Sequence, residues 1–157
     1  MAQTTASIPQ SGFKVEVSLN GSSWTDISGV AATVEVSGGE AQIGEQMTAD
    51  GEYAIVTPGN KIGAYDITCR VVYTETTAMG WKTVSSRFYG TAKTIAVRWS
   101  PAGGQSTEQS FTTSLAGAAA AVVPIVSCNP PALDASSGDP ALFEFSVRSP
   151  AIYEATL

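Results

Sequence analysis

The chain has 157 residues, a length that suits one domain and leaves little room for two. Hydrophobic residues make up 43% of it, enough for one core, while charged residues make up only 14%, against roughly 25% in an ordinary soluble domain. A surface so poor in charge fits burial against copies of the same chain, because interface cores are depleted of charge. Histidine is absent, which removes the commonest general base and the favoured nitrogen ligand of zinc, so catalysis and metal chemistry are both disfavoured.

Residues 1–12 are polar, with Pro9 and Gly12, and read as an N-terminal arm ahead of a single domain at 13–157. They show neither a basic start nor an apolar stretch of the kind that directs secretion, which points to a protein kept in the cytoplasm. From 13 to 19, Phe13, Val15, Val17 and Leu19 alternate with Lys14, Glu16 and Ser18, the pattern of a half-buried strand. Asn20–Gly21 is a hairpin signal, with a return strand at 24–27, and 32–36 alternates again around Val34 and Val36. Residues 40–58 read as one long hairpin whose tip is Thr48, Ala49, Asp50 and Gly51, with arms too polar for full burial.

From 65 to 73, Tyr65, Ile67, Cys69, Val71 and Tyr73 share one face of a strand. Met79, Trp81, Val84 and Phe88 then fall at helical spacing, so 78–88 is expected to be the one helix, stopped at Gly90 and weakened by Gly80. A strand follows at 95–99, a turn at Pro101 to Gly104, and a Ser/Thr-rich edge strand at 106–114. Residues 115–121 suit a helix and 122–126 a strand, which leaves this stretch open. Phe143, Phe145 and Val147 mark a closing strand at 141–148. Many short strands with regular turns and one helix imply an antiparallel β-sandwich or barrel, flanked by the helix and carrying a protruding hairpin.

Charge is unevenly placed. Residues 1–60 carry Lys14 against seven acids, residues 61–98 carry six bases against Asp66 and Glu75, and residues 99–157 carry Arg148 against five acids. An acidic segment of one copy facing the basic segment of another would form a head-to-tail contact, which closes into a ring or runs on as a filament. The overall charge of −6 and the single spacing of the bases argue against a nucleic-acid-binding footprint.

No phosphate-binding loop, dinucleotide fingerprint, nucleophile elbow or ligand cluster is present, so no cofactor is expected. Cys69 and Cys128 form no metal or redox spacing and read as small buried hydrophobes. Asn20–Gly21–Ser22 matches a glycosylation acceptor but reads as a turn, and Asp50 with Glu52 reads as solvated or interfacial charge. Trp24, Trp81, Trp99, Tyr65 and Tyr73 are expected in the core and not in base stacking.

The blocks 13–18, 24–30 and 34–40 resemble the opening of phage tail tube (major tail) proteins, and 72–75, 97–104 and 143–147 are similar to later blocks of that family, in the same order. The resemblance implies a structural, non-enzymatic virion protein whose hexameric rings join their sheets into an inner barrel and stack into a tube. Such a tube meets a tape measure protein and tail tip or terminator proteins, passes double-stranded DNA without holding it, and assembles in the host cytoplasm without a membrane. Within that reading the hairpin reaches the next ring through Glu45, Met47, Asp50, Glu52 and Tyr53. Its basic partner surface is Lys61, Arg70, Lys82, Arg87 and Lys93, and Glu35, Glu40 and Glu45 are candidates for the lumen. The competing readings are a monomeric Ig-like binding or decoration module on a virion surface, and an enzyme using carboxylates alone.

Overall fold

A computed structural model gives the structure of the chain and describes residues 10–75, 80–101, 109–114 and 120–156. Most of the expected arm, the turn after Pro101, the start of the Ser/Thr-rich strand and the open stretch at 115–119 lie outside the described residues. A single 3-10 turn, Gln10–Gly12, leads into β1 (Lys14–Ser18), β2 (Trp24–Asp26), β3 (Ala31–Gly38), β4 (Ala41–Gln46), β5 (Ile55–Ile62) and β6 (Tyr65–Val72). Then follow α1 (Trp81–Tyr89), β7 (Thr94–Ser100), β8 (Gln109–Thr112), β9 (Val123–Asn129), β10 (Leu142–Ser149) and β11 (Tyr153–Thr156).

All pairings are antiparallel, and the strands form two layers. One layer runs β2-β1-β7-β8-β11 and the other β9-β10-β6-β3. β7 turns the corner between them, since its first residues Thr94 and Ile95 pair with Pro124 and Val123 of β9 while its later residues pair with β1 and β8. The core lies between the layers. Val15, Val17, Ile95 and Val97 face Ile67, Cys69, Val71, Val123, Ile125, Phe143, Phe145 and Val147, all buried. Phe145 sits opposite Cys69 on one side and Cys128 on the other, with the Phe143 ring stacked 6.2 Å away. Burial pushes the Cys69 thiol up to about 12 and the Cys128 thiol to about 11, so both stay protonated and inert.

The strands at 65–73, 95–99, 122–126 and 141–148 are present as β6, β7, β9 and β10. α1 ends at Gly90 as expected and packs Trp81, Val84 and Phe88 inward. Gly80 is not inside the helix but caps its start at φ 72°, a conformation that favours glycine. A side chain there would also press on the Phe143 ring.

Three expectations fail for identifiable reasons. β1 is not half-buried: it is a central strand between β2 and β7, so Glu16 and Ser18 are buried as well as Val15 and Val17, while Leu19 lies beyond the sheet and is exposed. The sheet does not close at 148, because β11 adds an edge against β8. Trp24 leaves the core and lies beneath the Arg98 guanidinium, 4.4 Å from ring centroid to carbon.

Because Phe145 fills the space between two strands and two thiols, Phe145→Ala should destabilise the fold by about 3–5 kcal/mol. Calorimetry should show this as a fall of about 2–4 °C in thermal midpoint per kcal/mol; an unchanged midpoint would contradict this core.

Candidate assembly surfaces

The hairpin grows directly out of the sandwich. β3 pairs with β6, and the chain runs on from β3 into β4 and back through β5 into β6. The ladder crosses the junction: Gly39 N–H donates to the Ala64 carbonyl at 3.2 Å, and Gly63 N–H donates to the Glu40 carbonyl at 2.9 Å. The ribbon bends there at Gly38 and Gly39, with φ of 83° and 70°. Any side chain on Gly39 would run into the Tyr65 ring, so this bend requires glycine twice over.

Every residue of β4 and β5 is exposed. The arms extend to Ile62, beyond the expected end at 58, because Pro58 is tolerated in a two-stranded ribbon with free edges. Register puts Ala41, Ile43 and Glu45 on one face with Ile62, Pro58 and Val56. Ile43, Val56 and Ile62 are 65%, 61% and 64% exposed, so an apolar face with a single carboxylate stands in water. Exposed apolar patches of this kind mark contact surfaces. Met47, Asp50, Glu52 and Tyr53 lie in the loop at its far end, with Glu45 just behind on β4.

The five cations assigned to a partner surface lie on separate elements. Lys61 lies on β5, in the hairpin itself. Arg70 lies on β6, its Nε donating to Glu144 Oε2 at 2.9 Å. Lys82, Arg87 and Lys93 are grouped on or just after α1. There Lys82, Ser86 and Tyr89 share the outward face, and Arg87 Nη2 donates to the Leu19 carbonyl at 3.0 Å. The lumen candidates also separate: Glu35 is on β3, Glu40 at the bend and Glu45 on the hairpin.

The outer face of β9-β10-β6-β3 is polar in three cross-strand rows. Glu35, Thr68, Ser146 and Ser127 form one row, Thr33, Arg70, Glu144 and Asn129 a second, and Ser37, Asp66 and Arg148 a third. Arg148 grips Asp66 with two hydrogen bonds, Nε at 2.8 Å and Nη2 at 3.0 Å, and the Ser127 and Ser146 hydroxyls meet at 2.7 Å. Bonding from Arg148 holds the Asp66 carboxyl below its usual range, and Glu144 raises the Arg70 guanidinium. Sequence reasoning missed both pairs. The available signal was that Asp66 and Arg70, and Glu144 and Arg148, occupy the polar positions of two alternating strands.

The other outer face is built differently. Glu16 is buried between Lys14 at 3.1 Å and Arg98 at 2.7 Å, and the Arg98 guanidinium lies over Trp24. Beside β3, whose second edge is unpaired among the described residues, the layers part around a cavity of about 680 Å³ lined by Phe13, Thr33, Val34, Glu35, Trp99 and Pro101. Among the described residues no group of His, Cys, Asp and Glu could hold a metal ion, and no helix is long and apolar enough to cross a membrane.

No family model matches the chain, and no curated protein matches it. Solved structures do. A chain of an extracellular contractile injection system, resolved as its sheath/tube terminator in the extended state, is 17% identical with a TM-score of 0.65, over 98% of this chain and 100% of that one. A chain of the anti-feeding prophage tube-terminating cap is 16% identical with a TM-score of 0.62, over 100% and 96%. A chain from the tail of an empty GTA particle is 12% identical with a TM-score of 0.57, over 99% of each. These likenesses establish the fold: mainly antiparallel β with one short helix, shared with chains of tail-like particles.

The Asp66–Arg148 pair has a pH signature. Since the folded carboxyl titrates low, the pair adds stability above the unfolded value of about 3.9 and loses it as pH falls through the folded value. In an NMR titration, Arg148→Ala should raise the Asp66 midpoint towards about 3.9; an unmoved midpoint would show that Arg148 is not the cause.

Proposed function

We propose that this chain is the repeating subunit of a phage-tail-like tube, assembling as hexameric rings that stack into a conduit for double-stranded DNA. The observation that carries this reading is the β4-β5 hairpin, an amphipathic ribbon whose apolar face finds no cover among the described residues. A protruding element that docks on a different surface of a second copy makes a heterologous contact, and repetition of that contact yields rings or filaments. The second edge of β3, eight residues long, free of proline and lysine and unpaired among the described residues, calls for the same kind of cover. The fold shared with chains of tubes, caps and tails of injection particles supports a structural role, and the absence of histidine agrees with it. In such a particle the natural further partners are a tape measure protein along the tube and tip and terminator proteins at its ends.

The hairpin tip carries Glu45, Asp50 and Glu52 beside Met47 and Tyr53. Its counterpart on the next ring is narrower than the whole basic segment. Arg70 already faces Glu144 and Lys61 travels with the hairpin, which leaves Lys82, Arg87 and Lys93 around α1, next to the exposed Tyr89 and Leu19. Complementary charge there sets register and steers encounter, and the apolar residues supply affinity.

Asp50→Lys with Glu52→Lys should leave the melting temperature of the free subunit unchanged within about 0.5 kcal/mol of stability, as for surface substitutions. The same variant should shorten or abolish tubes in negative-stain microscopy, and Lys82→Glu with Lys93→Glu should restore them in part. Tubes of normal length from the first variant would sink the role given to the tip.

A further inference from the structure

Resting on the tube reading, we propose that the outer face of the β9-β10-β6-β3 sheet is the wall of the channel. In it Glu144 and Asp66 mask Arg70 and Arg148, so that a linear polyanion passes without being held. The three central rows of this face contain no apolar side chain, only Glu35, Asp66, Glu144, two arginines, and Ser, Thr and Asn. Exposed Ile43, Met47, Tyr53, Ile55, Val56, Ile62 and Tyr89 lie on the hairpin or α1, and Leu19 and Leu133 lie outside the strands. Leu142 and the bulged Val126 stand at the margins of the sheet, and Val36 on β3 is opposite buried Ile67 and so on the inner side. A face of this composition is unsuited to binding protein and suited to water. The opposite outer face, with Trp24 beneath Arg98, presents the aromatic and arginine side chains that are enriched where protein meets protein.

The arginines decide what such a wall does. A free guanidinium fork fits phosphate as well as carboxylate, and each one that neutralises a phosphate releases a counterion and tightens binding. Here both guanidiniums are paired across strands, Arg148 on Asp66 through a two-bond fork at 2.8 and 3.0 Å and Arg70 on Glu144 through Nε at 2.9 Å. Glu35 adds a further negative charge beside Arg70. With three carboxylates against two guanidiniums, each subunit contributes a face of one net negative charge carrying no unmasked cation among its described residues. Repeated around a ring, this gives a weakly repellent wall with no phosphate site on it. Arg70 therefore belongs to the channel and not to the surface between rings.

Two measurements on assembled tubes test this. Thr68→Cys stands in the middle of the face, and the native thiols are buried. In the free subunit it should react with both a small maleimide and a maleimide carrying a large polyethylene glycol, and in tubes with the small one only. Reaction with both in tubes would put the face outside, and reaction with neither would put it in a subunit contact; either overturns the proposal. The second measurement is co-sedimentation of tubes with a fluorescent 30-base-pair duplex. Wild-type tubes should leave it in the supernatant, and Asp66→Asn with Glu144→Gln should retain it about tenfold more at low salt, with steep loss as salt rises. Adding Arg70→Gln and Arg148→Gln to that variant should abolish retention. Retention that survives, or a masked-to-unmasked change without effect in variants that still melt cooperatively and form tubes, would overturn the masking. If the wild-type chain forms no tubes at all in microscopy, the tube reading itself falls and the wall with it.

Discussion

The register between β6 and β10 is the constraint on which the rest depends. Eight pairs, from Leu142 opposite Val72 to Ser149 opposite Tyr65, lock these strands at the centre of one layer. Because side chains alternate, this single register sends Ile67, Cys69, Val71, Phe143, Phe145 and Val147 into the core and Asp66, Arg70, Glu144 and Arg148 to the outside. A slip of β10 by one residue would bury Glu144 and Arg148 and expose Phe143 and Phe145. The cross-strand ion pairs are individually worth little at a surface, roughly 0–1 kcal/mol. They nevertheless agree with the core about the register, and agreement between levels is what gives a sequence one structure.

β6 also carries the projecting element. Its other neighbour is β3, and the β3-β6 ladder continues through the glycine bend into β4 and β5. The hairpin therefore stands on a ladder anchored by the buried strand β6 and leaves it at a glycine bend. An exposed apolar ribbon on a rigid base pays less entropy on docking than one on a flexible loop. The same geometry leaves β3 as an open edge beside the cavity floored by Trp99, so the surfaces that need covering lie along one strand and its extension.

Much of the architecture was legible from period-two patterns. The strands containing Ile67 to Val71 and Phe143 to Val147 were plain because one face is apolar and the other polar. β1 was misread because its polar positions, Glu16 and Ser18, are buried by partners distant in sequence; Arg98 reaches Glu16 across 82 residues. Arg70 and Glu144 are 74 residues apart, so summing charge by segment counted Arg70 as a free cation. β11 was missed because Tyr153–Thr156 is short and mixed, and its strand identity comes from β8. The far end of the hairpin at Asp50 was legible from its Asp-Gly turn and flanking polarity, whereas Lys61 could not be assigned to it until Pro58 proved to lie within a strand.

We propose that the hairpin is buried only when a second copy receives it. Hydrogen–deuterium exchange across residues 41–62, compared between dilute free subunit and concentrated, assembled chain, addresses that claim most directly. Amides of β4 and β5 should exchange quickly in the first and become protected in the second, while those of β6 and β10 stay protected in both. Equal, rapid exchange of the hairpin in a particle that microscopy shows to be assembled, or a chain that stays monomeric at high concentration, would contradict it.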